Sequence, residues 1–197
     1  NLFDIAGLVT RAGALINRDH APATADATAL ARLEAAGGLV LGALNMGEYA
    51  YDFTGENVHD GASRNPRDLA RMTGGSSGGS GAAVASGMAP IALGSDTNGS
   101  IRVPAALCGI FGLKPTFGRL SRAGTFPFVA SFDHLGPLAR SAKDLALSYD
   151  AMQGPDPDDP AQSPRPHEAT FQSLALGAEG LRIAVAGGYF AKGGDPA

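Results

Sequence analysis

The stretch Gly74-Gly-Ser-Ser-Gly-Gly-Ser-Gly81 constrains this chain more than any other. Its five glycines in eight residues open backbone dihedrals that other residues avoid. Apolar segments flank it on both sides, so it reads as a built loop and not as a flexible linker. It also lacks the Gly-Lys-Ser/Thr ending of a phosphate-cradling loop. A second turn, Gly94-Ser-Asp-Thr-Asn-Gly-Ser-Ile-Arg102, puts Ser100 24 positions after Ser76. Two serines brought together by two tight turns point to nucleophilic catalysis.

The segments around these turns alternate as in an α/β protein. Residues 25–36 (ADATALARLEAA) favour a helix stopped by Gly37-Gly38, and Leu39 to Ala43 follows as a short buried strand. Residues 51–73 make a long polar connection with a turn at Asn65-Pro66. Ser80 to Ser86 opens a helix whose small residues permit close packing. Ala89 to Leu93 is a strand leading towards the Ser100 turn. Ile101 to Cys108 is a helix with Pro104 in its first turn, where a missing N–H is harmless. Ile110 to Leu113 and Leu181 to Ala186 read as further strands. Ser141 to Met152 is the clearest helix, with Ser141 and Asp144 as a capping pair and Leu145, Tyr149 and Met152 on one face. The acidic, proline-rich run from Gly154 to Pro166 is a solvated loop, because no ligand spacing supports a cation site.

Composition excludes several functions. A net charge of −4 offers no basic face for nucleic acid. The one cysteine, Cys108, forbids an internal disulfide and fits a reducing cytoplasm. No apolar run approaches the roughly 18 residues that span a membrane. Metal chemistry lacks both an HExxH pattern and a cysteine pair. The histidines at 20, 59, 134 and 167 are scattered and fit no Ser-His-Asp order; only His134 follows the Ser100 region closely enough to reach its pocket.

A serine hydroxyl is a weak nucleophile without an adjacent base and preorganised N–H donors. The amides of Thr97, Asn98, Gly99 and Ser100 can converge on one oxygen and so form an oxyanion hole. The competing reading is that Ser100 only caps the following helix. Asp96 either accepts hydrogen bonds that shape this turn or is an ordinary turn aspartate. Arg102 either orients a substrate carboxylate or braces the residues behind the site. Tyr51 is either a core tyrosine or a wall of the acyl pocket.

With Asn1-Leu-Phe-Asp-Ile-Ala-Gly7, Arg64-Asn-Pro-Arg67, Gly112-Leu-Lys-Pro-Thr116 and Ser131-Phe-Asp-His-Leu-Gly-Pro137, these turns make the chain resemble the amidase signature family. The resemblance implies an α/β fold with a central mixed β-sheet flanked by helices on both faces. Residues 1–197 would be part of a single amidase domain, truncated at both ends. It further implies that Ser100 is the nucleophile and that Ser76, following a cis bond from Gly75, relays its proton to a lysine. That lysine would lie just upstream of Asn1, since Lys114, Lys143 and Lys192 match no such position. Ser77 would hydrogen-bond the oxyanion turn, and Asn98 stands where most of the family carries glycine. The segments Leu44 to Phe53 and Ser95 to Arg102 are similar to the 1-carboxybiuret hydrolases of cyanuric acid breakdown. The implied substrate is a small biuret-like amide, with ammonia released and no cofactor. The implied partner is another copy in a homo-oligomer, or a small accessory subunit. Two rivals remain: the glutaminase-type subunit of the amidotransferase that amidates mischarged tRNA, and a non-catalytic interaction protein on the same fold.

Overall fold

The computed structural model describes residues 1–192. Its elements run α1 (Thr28–Ala35), α2 (Gly78–Ala85), β1 (Ile91–Asp96), α3 (Arg102–Cys108), β2 (Phe111–Gly112), β3 (His134–Ala139), α4 (Ala142–Met152) and α5 (Thr170–Ser173). Short 3-10 turns lie at Ile16–Asp19, Glu48–Ala50, Leu174–Leu176 and Gly188–Ala191. The strands form one sheet of order β1-β3-β2. Both pairings are antiparallel, with Asp96 opposite His134 and Gly112 opposite Leu138. The α/β class therefore stands, while the sheet among the described residues is antiparallel where a mixed one was expected.

The central strand β3 has no counterpart among the strands expected from sequence, and its Pro137 lacks a ladder donor. The register explains how it is tolerated. Leu113 N–H donates to the Pro137 carbonyl, so the backbone of Pro137 faces β2 and not β1. β2 ends at Gly112, and the missing donor falls where that ladder stops. Two expected strands are absent. Residues 39–43 and 181–186 carry no strand assignment, and Leu39 and Val185 are 86% and 92% exposed. Apolar β-rich sequence forms a strand only beside a pairing partner, and neither segment has one among the described residues.

Helices cover both faces of the sheet, as expected. On one face Leu138 packs with Val84 of α2 and with Ile101 and Ala105 at α3. On the other, Leu135 joins Tyr149 and Met152 of α4, together with Leu2, Phe3, Leu30 and Leu120. Residues 135 and 138 differ by an odd number, which is how one strand serves two cores. The α4 cap forms as expected: Ser141 Oγ accepts the Asp144 N–H at 3.1 Å and donates to the Asp144 carboxylate at 2.7 Å.

The outer edge of β1 is closed by side chains from the glycine-serine segment. Ser80 Oγ donates to the Leu93 carbonyl at 2.7 Å. Ser77 Oγ donates to the Ser95 carbonyl and accepts the Ser95 N–H, both at 3.3 Å. Edge groups that would otherwise need another strand are satisfied in this way. The approach of α2 requires bare backbone. Gly79 N–H donates to the Asn45 carbonyl at 3.0 Å, and a Cβ there would meet that oxygen at 2.5 Å. The clashing atom is backbone, so Gly79→Ala should destabilise the intact protein by about 2 kcal/mol despite the better helix propensity of alanine. Urea denaturation checks this; an unchanged midpoint would mean that the Asn45 segment yields freely.

Candidate active site

The first turn enters α2 through a cis peptide bond between Gly75 and Ser76. Gly75 N–H donates to the Phe53 carbonyl at 2.9 Å, and the Ser76 carbonyl accepts the Gly47 N–H at 3.1 Å. Asp52 fills the space beside Gly75, with its Oδ2 2.2 Å from where a Cβ would stand. That carboxylate is held in turn by the N–H groups of Thr54 and Gly55, each at 2.7 Å. Gly75 is thus required by close approach. Ser76 is 0% exposed, and its Oγ has no hydrogen-bond partner among the described residues.

The second turn folds around Asp96, whose carboxylate is completely buried. Its Oδ1 accepts Gly99 N–H at 2.7 Å and Arg102 Nη2 at 2.9 Å. Its Oδ2 accepts Arg102 Nε at 3.0 Å and Ile101 N–H at 3.2 Å. Burial pushes the carboxyl pKa up, but the Arg102 guanidinium and the Ile101 and Gly99 amides outweigh it, and the group is held below its usual value. The turn is also tied from outside. His134 Nδ1 faces the Asp96 carbonyl at 3.0 Å and the Phe132 carbonyl at 2.6 Å. Thr97 Oγ1 donates to Asp133.

The two turns meet directly, because Ser77 N–H donates to the Ser100 carbonyl at 3.2 Å. Ser100 is 5% exposed. It precedes α3 without capping it, since the capping position belongs to Ile101 and no side chain caps that helix. Of the four amides expected at the oxyanion hole, Gly99 is engaged by Asp96. Those of Thr97, Asn98 and Ser100 find no acceptor among the described residues.

The structure places the other expected site residues as follows. Asp96 shapes the turn and Arg102 braces it through a two-pronged ion pair. Ser77 joins the turn through its amide and β1 through its hydroxyl. Tyr51 is not a core tyrosine: it is 81% exposed and lies against the Phe128 ring at 5.6 Å. His134 holds backbone carbonyls through Nδ1, which fits a brace better than a proton carrier. Lys114 donates to the Pro115 carbonyl and Lys143 lies over the Phe171 ring, so neither touches Ser76. Three residues were missed: Asp52, Phe53 and Asp133. Phe53 approaches to 3.4 Å from the Cβ position of Gly99. All three lay in segments already singled out for the family resemblance, but only the fold brings these long-range neighbours together.

The Amidase family profile matches residues 1–197. The chain belongs to the amidase family. It is 62% identical over 197 residues to the AtzE subunit of 1-carboxybiuret hydrolase from Pseudomonas sp. (strain ADP), covering 100% of this chain and 43% of that protein. It is 48% identical over 196 residues to a glutamyl-tRNA(Gln) amidotransferase subunit of Roseiflexus castenholzii (strain DSM 13941 / HLO8), covering 100% of this chain and 40% of that one. A solved vestigial protein complex bearing on the origins of an s-triazine catabolic enzyme superposes with a TM-score of 0.95 at 63% identity, covering 96% of this chain and 42% of that one. The native peptide amidase of Stenotrophomonas maltophilia gives 0.81 at 38% identity, covering 88% and 36%. The chain therefore spans less than half the length of these relatives.

The Asp96–Arg102 pair gives this amidase segment an acid-sensitive brace. The folded carboxyl lies below its ordinary value of 3.8. Its stabilisation is therefore complete above that value and is lost as pH falls through the lower folded one. Arg102→Met removes the largest favourable influence, so acid unfolding should begin at higher pH. Stability at pH 7 should drop by about 2 kcal/mol, the range for hydrogen bonds to a charged group. Circular dichroism melts across pH read both effects; an unmoved acid limb would remove the pair from that role.

Proposed function

We propose that the protein carrying this chain hydrolyses a small biuret-like amide of the 1-carboxybiuret type and releases ammonia. The observation that carries this reading is the junction of the Ser76 and Ser100 turns, in a chain 62% identical along its whole length to part of a 1-carboxybiuret hydrolase. Ser100 Oγ attacks the amide carbonyl. Its proton passes through Ser76 Oγ to a base, and the amides of Thr97, Asn98 and Ser100 receive the oxygen that becomes negative. The returned proton lets ammonia leave, and water then attacks the acyl-serine by the reverse relay.

The base is a lysine, as the family resemblance implies, and Lys114, Lys143 and Lys192 match no such position. Ser76 can pass a proton but cannot keep it, whereas a desolvated lysine is neutral enough to accept one. The domain reading goes with this: residues 1–197 contribute the serine-bearing part of one amidase domain. Association with a second protein is supported by the vestigial complex of a similar enzyme. Among the described residues no helix is long and apolar enough to cross a membrane. The buried, unpaired Cys108 supports a cytoplasmic setting. The second reading is a glutaminase subunit of tRNA-dependent amidation, favoured by the 48% identity to a glutamyl-tRNA(Gln) amidotransferase chain.

Turnover of biuret-type amides, malonamide and glutamine by the full-length protein separates these readings. Preference for glutamine would sink the first. Ser100→Ala should lower kcat by about 10,000-fold or more while the circular dichroism spectrum is retained. Wild-type turnover in that variant would remove Ser100 from the mechanism. Residues 1–197 produced alone should be inert, because neither Lys114 nor Lys143 meets Ser76 and Lys192 matches no base position. Measurable hydrolysis by that segment would show that the base has been misassigned.

A further inference from the structure

Asp133 is 8% exposed and carries a carboxylate that no cation pairs among the described residues. Hydrogen bonds alone satisfy it. Its Oδ2 accepts the N–H of Phe128 at 2.8 Å and of Val129 at 2.9 Å, while Oδ1 accepts Val129 N–H at 3.0 Å. The Val129 carbonyl in turn accepts the N–H groups of Phe132 and Asp133, at 2.8 and 2.9 Å. Residues 128–133 are thus closed around the carboxylate as a small rigid loop. From that loop Oδ1 reaches out to Thr97 Oγ1 at 2.5 Å.

The sheet register makes this contact a direct one. Asp96 pairs with His134, so the next pair outward, beyond the last residues of both strands, is Thr97 with Asp133. The Asp96 carboxylate secures the later part of the turn, through Gly99, Ile101 and Arg102, and leaves Thr97 and Asn98 unheld. The bond from Thr97 to Asp133 secures that earlier part. We propose that Asp133 is a positioning residue which, through the Thr97 hydroxyl, aims the Thr97 and Asn98 amides at the oxygen that becomes negative. This rests on the reading of Ser100 as nucleophile. Deleting an oxyanion donor costs roughly 100- to 1,000-fold in kcat, and letting one drift should cost about tenfold.

The test uses the full-length enzyme with a small amide substrate. Thr97→Val keeps shape but loses the donor; kcat should fall about tenfold with KM changed less than about twofold, the signature of an interaction made in the transition state. Thr97→Ser, which restores the hydroxyl, should regain most of that loss. Asp133→Asn should lower kcat at least as far, and adding Thr97→Val to it should cost little more, because both break one link. Wild-type kcat in Thr97→Val, a loss confined to KM, no recovery in Thr97→Ser, or fully multiplicative effects in the double variant would each overturn the proposal. Should Asp133→Asn not fold, the two Thr97 variants still decide it. Ser100→Ala separates the two readings. If it is inactive while Thr97→Val is unimpaired, only the Asp133 proposal fails; if it is active, the reading of the whole site fails.

Discussion

The architecture of the serine site depends on one buried carboxylate. Asp96 ends β1 with no exposure to solvent, and an uncompensated charge there would cost several kcal/mol. Compensation comes from the Arg102 guanidinium and from the backbone amides of Gly99, Ile101 and Arg102. Satisfying the charge and bending the chain are therefore one event: the turn that brings Ser100 back is the turn that solvates Asp96. Arg102 sits on the solvent side, half exposed, so the pair is anchored at its buried end and adjustable at the other.

The glycine-serine segment connects this turn to the remainder of the fold. Its serines act through different atoms in different places. Ser80 and Ser77 close the free edge of β1 with their hydroxyls, and the Ser77 amide binds the Ser100 carbonyl. Ser76 is buried, with its hydroxyl unengaged among the described residues. The glycines let backbones touch where side chains would intervene, at Asn45 for Gly79 and at Asp52 for Gly75. A site assembled by backbone proximity in this way tolerates little change at the glycines.

A second layer lies outside both turns. His134 and Asp133, side by side at the start of β3, each take hold of the Asp96 turn, one by a carbonyl and one by a hydroxyl. Pro137 later in the same strand faces the short β2, so the ladder that aligns β3 with β1 is unbroken. The precision of the turn thus derives from strand pairing as much as from its own residues. This is why Asp133, 36 positions from Thr97, belongs to the same small structure.

Local chemistry was legible in the sequence. The two glycine-bearing turns, the helix across Pro104 and the Ser141 cap depend on residues a few positions apart, where propensity and hydrogen-bonding type carry the information. Family likeness added the cis bond at Ser76 and the helices on both faces of the sheet. Pairing between distant segments was not legible. Leu39 to Ala43 and Leu181 to Ala186 have the composition of strands but lie exposed, because a strand is stabilised by a neighbour that its own residues do not encode. His134–Ala139 has a composition that argues against a strand and is nonetheless the central one, because its register turns the proline away from β1. Residue types and short spacings drew attention to Ser100 and the two turns, and the family likeness singled out Ser76 within the first and made Ser100 the nucleophile. Folding alone placed Asp52, Phe53 and Asp133 around those serines, since contacts across a fold follow from packing and register and not from spacing along the chain.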